Sequence, residues 1–182
     1  MNIYRALFLV AVAILFSAGL SCSKSGEQSN VTVTQASPNA SPKPVVAAAN
    51  NLTPSDISKL KWIEGTWRGM DGDKPFYERY KIENTAMIVE SLKEDGSPDG
   101  EPERFELKNG EFGINEGEKR SVASEISDSH VQFVPAVAGK GNNFRFEHQS
   151  DGTWIALLEW PPTADKPARQ KIYKMEPWQP KK

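Results

Sequence analysis

Phe76-Tyr77-Glu78-Arg79-Tyr80-Lys81-Ile82 is the stretch on which the fold turns. Side chains alternate across a β-strand, so Phe76, Glu78, Tyr80 and Ile82 share one face while Tyr77, Arg79 and Lys81 take the other. Phe105 and Leu107 oppose Arg104, Glu106 and Lys108 in the same way, and Phe144, Phe146 and His148 oppose Asn143, Arg145 and Glu147. The inner set is thus mostly aromatic, with Glu78 and His148 as its polar members.

Turn residues punctuate further runs of this kind: Thr85 to Leu92, Glu103 to Lys108, Glu111 to Asn115, His130 to Val134, Asn143 to Gln149, Thr153 to Trp160 and Arg169 to Met175. Asn109-Gly110 and Ser150-Asp151-Gly152 are hairpin signals. Many short strands without alternating long helices imply an all-β meander of roughly eight to ten strands, closed as an antiparallel barrel or packed as a sandwich. Trp154 to Trp160 is apolar on both faces, which predicts cover on its outer side, with the opening helix as the candidate. That helix is predicted after Thr53, a good N-cap followed by Pro54, with Ile57, Leu60 and Ile63 along one side.

Upstream the composition changes. Tyr4, Phe8 and Phe16 are followed by no aromatic residue until Trp62. Without aromatic area to bury, the Ser-, Asn-, Ala- and Pro-rich stretch between them does not offset the entropy of ordering. Three zones follow: residues 1–21 as a signal peptide, residues 22–51 as a disordered tether, and residues 52–182 as the folded domain. The head has Arg5, an apolar run from Ala6 to Leu20, and small residues around Ser21 and Cys22, the pattern of an export signal. It is shorter than the roughly 20 apolar residues of a spanning helix.

Gly19-Leu20-Ser21-Cys22 resembles the lipobox of bacterial lipoproteins, in which the cysteine is lipidated and becomes the new N-terminus. The resemblance implies an envelope protein with a lipid anchor on Cys22, the only cysteine of the chain. A plain secretory cut after Ser21, giving a soluble secreted protein, is the alternative.

Within the domain, Trp62-Ile63-Glu64-Gly65-Thr66-Trp67-Arg68-Gly69 resembles the opening of lipocalin-like, or calycin, barrels, where a short helix precedes a strand carrying Gly-x-Trp. Glu78 with an aromatic two residues on, Phe144-Arg145-Phe146-Glu147, and Lys171-Ile172-Tyr173, in that order, extend the similarity to a group of bacterial lipocalin-like domains over roughly residues 52–178. The resemblance implies a lipocalin-like antiparallel barrel with a short N-terminal helix. It also implies that Gly65, Trp67 and a basic residue near the last strand, Arg169 or Lys171, close the barrel by a cation over the indole of Trp67. Those domains often continue with an Asn-His-Asp-Phe-Pro run where this chain has His148-Gln149-Ser150-Asp151-Gly152, so nothing attached to that run carries over.

Function classes narrow by subtraction. The chain of 182 residues carries 22 basic and 24 acidic residues, a net charge of -2, so no basic sheath for nucleic acid is expected. One cysteine and two histidines leave no basis for a multi-thiolate or His-rich metal site, and no cofactor is expected. Some calycin relatives hold haem through a histidine, yet His148 reads first as a core or rim residue. No Gly-x-Ser-x-Gly or assembled acid–base pair is present, and an enzyme is not expected. The expected function is non-catalytic binding of a small, largely apolar ligand inside a membrane-tethered barrel, with Glu78, Tyr80, Phe146 and His148 as candidate ligand contacts. The alternative is a filled barrel acting as a structural or protein-interaction module of the cell envelope.

Overall fold

A computed structural model describes residues 51–180. The signal peptide, the Cys22 lipidation site and nearly all of the tether lie outside the described residues.

The helix begins where the sequence places it. α1 (Pro54–Ser58) is followed by a 3₁₀ turn, Lys59–Ile63. The carboxylate of Asp56 accepts hydrogen bonds from the backbone N–H and hydroxyl of Thr53, at 2.9 and 2.8 Å, and pins the first turn. Ile57, Leu60 and Ile63 are buried to 1% exposure or less, so this segment is a plug whose apolar side joins the barrel core.

Ten strands follow: β1 (Gly65–Asp71), β2 (Lys74–Glu83), β3 (Ala86–Leu92), β4 (Glu103–Lys108), β5 (Glu111–Ile114), β6 (Ser121–Ile126), β7 (His130–Pro135), β8 (Asn143–His148), β9 (Trp154–Trp160) and β10 (Arg169–Pro177). Each pairs antiparallel with its sequence neighbour, and β10 returns to β1 through Trp67↔Pro177 and Arg68↔Glu176. The fold is therefore an all-β closed antiparallel barrel with one short helix, and closure leaves no free sheet edge.

Two local choices deserve a physical reason. Asn109 (φ 55°) and Gly110 (φ 79°) both take the left-handed region, the requirement of a two-residue turn that follows strand twist, and so join β4 to β5. Gly69 lies opposite Phe76, and a Cβ there would stand 2.1 Å from Phe76 Cζ. The missing side chain makes room for the ring.

Two features were not foreseen, and the opening helix joins the interior core rather than serving as the outer cover expected for β9. β6 escaped the alternation because Val122 and Ala123 are both buried in succession and the register with β7 shifts between Ala123 and Glu125. Tyr77 does point outward, but the C-terminal segment crosses back over it: Trp178 stacks on Tyr77 at 4.2 Å, and its N–H bonds the carbonyl of Thr66 at 2.9 Å. The plug caps one end of the barrel, tied to it by Leu52 N–H to Gly110 O and by Ile82 N–H to Glu64 Oε1, both 2.9 Å. On the outer row of β9, Ile155 and Leu157 are half-buried.

Candidate functional site

The inner rows of β2, β8, β9 and β10 enclose a narrow slot lined by Phe76, Glu78, Tyr80, Phe146, Trp154 and Tyr173, with Phe144, Ala156, Leu158 and Met175 completing the wall. Strand direction sets its depth. Trp154, Met175 and Tyr80 lie toward the plugged end, and Phe76 and Leu158 toward the opposite rim. Every lining residue except Phe76 is buried, so Phe76 stands at the mouth. Its ring is seated over Gly69 and meets Tyr173 edge-on at 5.3 Å. The enclosed volume is about 20 Å³, of the order a single water needs. Of the two interiors expected, ligand-holding or filled, the volume lies nearer the second: rings from facing strands meet across the centre and occupy it, with Tyr80 and Phe146 contacting Trp154 at 5.3 and 5.2 Å.

Alternation placed Glu78 correctly. It is 1% exposed, and its Oε2 accepts a hydrogen bond from Tyr80 Oη at 2.8 Å. Removal from water disfavours the carboxylate and pushes the acid up to about 8. The Tyr80 hydroxyl pulls the other way, and the nearby charge of Glu103 adds to the rise. At neutral pH Glu78 is mainly a neutral acid able both to give and to accept a hydrogen bond.

Glu103 is the residue the sequence reading missed. It occupies the inner row of β4, at the same parity as Phe105 and Leu107, and pairs with Val89 beside Tyr80. That parity was the available signal. Burial pushes Glu103 up to about 7. Its Oε2 is buried with no hydrogen-bond partner among the described residues, as is Trp154 Nε1. Among the described residues no Lys, Arg or His lines the slot. The arrangement joins an aromatic wall carrying Glu78 to a second acid beside that wall, Glu103, whose unmet oxygen asks for a donor.

The other candidates separate. Phe146 lines the slot with Tyr80. His148 does not: it lies one step beyond the buried part of β8, exposed, with its ring stacked on Trp62 of the plug at 5.5 Å. Gly65 opens β1 at φ 131°, and Trp67 is buried there, its Nε1 donating to Ile63 O at 2.7 Å and its ring against Trp154. Arg169 does not cover Trp67. The two lie at opposite ends of the barrel, because Trp67 pairs with Pro177 while Arg169 starts β10. Arg169 instead sits 4.5 Å over Trp160 on the open rim. Lys171 likewise lies over Tyr173 at 4.8 Å and bonds Asp71 at 2.6 Å. Both basic residues keep a cation–π contact, on rings nearer their own end of the barrel.

Among the described residues no group of three or more His, Cys, Asp or Glu side chains is placed to hold a metal ion. A larger, open groove of about 350 Å³ lies on the outer face between β8, β9 and β10, lined by polar Asn143, Glu159 and Gln170 with Trp160 and Arg169. Compared with protein-family models, with curated proteins and with solved structures, the chain matches none.

Proposed function

We propose that this protein is a bacterial envelope lipoprotein, anchored through Cys22, whose lipocalin-like barrel binds a small, largely apolar ligand without catalysis. One observation carries the ligand reading: a carboxyl at 1% exposure in the wall of an otherwise apolar slot. A well-packed apolar residue in its place would serve stability as well or better, since removing an acid from water costs several kcal/mol. Perturbed, desolvated acids gather where a protein uses them. Because the slot holds only about 20 Å³, uptake of a ligand requires the mouth ring, Phe76, to move.

The filled-barrel reading has its own support. The small enclosed volume suits a solid core, and Ile172, 55% exposed, adjoins Leu157 on the outer face and gives a partner protein something apolar to touch. Native mass spectrometry of the full chain taken from its own envelope separates the two. The ligand reading expects a co-purifying small molecule that a folded Glu78→Gln variant no longer retains. A bare mass for the native chain favours the filled barrel. The anchor is tested separately: Cys22→Ser is expected to move the protein from the membrane to the soluble fraction and to abolish fatty-acid labelling.

A further inference from the structure

We infer that the slot takes the head of a primary alkylammonium compound, with Glu78 and Glu103 as its anionic partners and Phe76 as its gate. This rests on the ligand-binding reading above and names the chemistry it left open.

Four features of the slot point the same way. Its wall carries the rings of Phe76, Tyr80, Phe146, Trp154 and Tyr173, and aromatic faces attract ammonium groups most strongly where water is excluded. Glu78 is set among those rings at 1% exposure. Beside the lining and close enough to Glu78 for its charge to act on it, Glu103 Oε2 is a buried acceptor without a donor among the described residues, and an N–H-bearing head supplies one where a quaternary ammonium could not. Among the described residues the lining holds no basic side chain to compete. Two cations of β10 are already engaged, Lys171 with Asp71 and Tyr173, and Arg169 with Trp160.

Entry follows from the packing. Among the described residues Phe76 is the one lining ring that is not buried, and it rests over a glycine rather than behind a side chain. Rotation of that ring toward the rim enlarges the slot without disturbing the strand pairing beneath it. The alkyl body of the ligand then lies against Leu158 and Ala156, where the wall is aliphatic.

Proton balance gives the site a signature. The groups facing Glu78 are Tyr80 on its own strand, Ser91 opposite it on β3, Glu103 on β4 and Tyr173 on β10, with the Lys171–Asp71 pair beyond at the rim. An incoming ammonium favours the ionised acid, so binding releases a proton to solvent. Affinity therefore climbs as pH rises toward and through the range where Glu78 ionises, while an alkylamine, with a basicity like that of lysine, stays charged.

The test is calorimetric titration of the full chain with n-hexylamine, hexan-1-ol and hexanoate between pH 6 and 9. Hexylamine is expected to bind about tenfold tighter than hexanol, hexanoate more weakly than either, and only hexylamine to tighten with pH. Glu78→Gln is expected to bring hexylamine to the level of hexanol, and Phe76→Ala to tighten both. Equal binding of hexylamine and hexanol by the native chain, or preference for hexanoate, overturns the ammonium assignment and leaves the ligand reading standing. Failure of all three probes to bind either the native chain or Phe76→Ala overturns both. Should Glu78→Gln fail to fold, the ranking of the three probes on the native chain still decides.

Discussion

The two sides of this barrel are closed by the same ladder and filled by different means. Around β4, β5 and β7, Phe105, Phe112 and Phe133 are each 0% exposed and meet ring to ring at 5.1–6.1 Å. Around β2, β8, β9 and β10 the rings also touch, yet they leave a narrow slot of about 20 Å³ with a neutral acid in its wall. Glu103 stands at the boundary, one inner position from Phe105. The first side is a core in the ordinary sense, where volume is the only requirement. The second carries polar groups that a core does not need. The difference teaches where to look for function: where the interior departs from its own cheapest filling.

Breaking the packed side should produce the largest effect. Phe112→Ala removes a ring that, among the described aromatic residues, touches Phe105 and Phe133, and a loss of about 3–5 kcal/mol in urea unfolding is expected. Its pH dependence should match that of the native chain. A changed pH profile would show that the two sides are not separable.

The next effect belongs to the slot side. Glu78 ionises near 8 in the folded chain against an ordinary 4.5, so between those values the folded state holds a proton that the unfolded state releases. Stability is therefore highest at low pH in this window, falls as pH rises through it, and levels off above about 8, a loss of roughly 5 kcal/mol from this group. Glu103 contributes in the same direction over a lower range. Glu78→Gln keeps an acceptor for Tyr80 without a titrating proton, so its stability should decline less with pH and exceed that of the native chain at pH 9. Parallel curves for the two proteins would place the sensitive group elsewhere.

Gly69→Ala sharpens the comparison at the mouth. Its new methyl group would collide with Phe76, and the displaced ring should cost about 1–3 kcal/mol while speeding the association of hexylamine measured by stopped-flow tryptophan fluorescence. The smallest effect is expected at the rim: Arg169→Ala, which loses only its contact with Trp160, should shift Tm by about 2 °C at most.

How much of this was readable beforehand depends on whether a feature is local. Period-two alternation is local, and it placed Phe76, Glu78, Tyr80, Phe105, Phe144 and Phe146 on the inner side. The same rule assigned His148 to that row, and the row is right, but the strand runs past the buried interior at that point and the plug supplies Trp62 as the partner. Glu103 obeyed the rule and was passed over because a charged residue at a strand start looks like solvent-facing polarity. β6 broke the rule through its register shift. Arg169 was paired with the wrong tryptophan because the register of β10 against β1 joins residues far apart in the chain. The size of the cavity was beyond reach altogether, since it depends on how rings from strands that do not neighbour each other meet across the centre.

The central claim is that Glu78 is a neutral acid held in readiness for a ligand, and carbon-13 NMR of the glutamate carboxyl carbons, with the Glu78 signal identified through Glu78→Gln, tests it most directly. In the free protein the signal should titrate near pH 8 as part of a pair with Glu103. Saturating hexylamine should lower its midpoint by about one unit, the shift that accompanies tenfold tighter binding to the ionised form. A midpoint in the ordinary carboxylate range, or one that hexylamine leaves unmoved, would contradict the account.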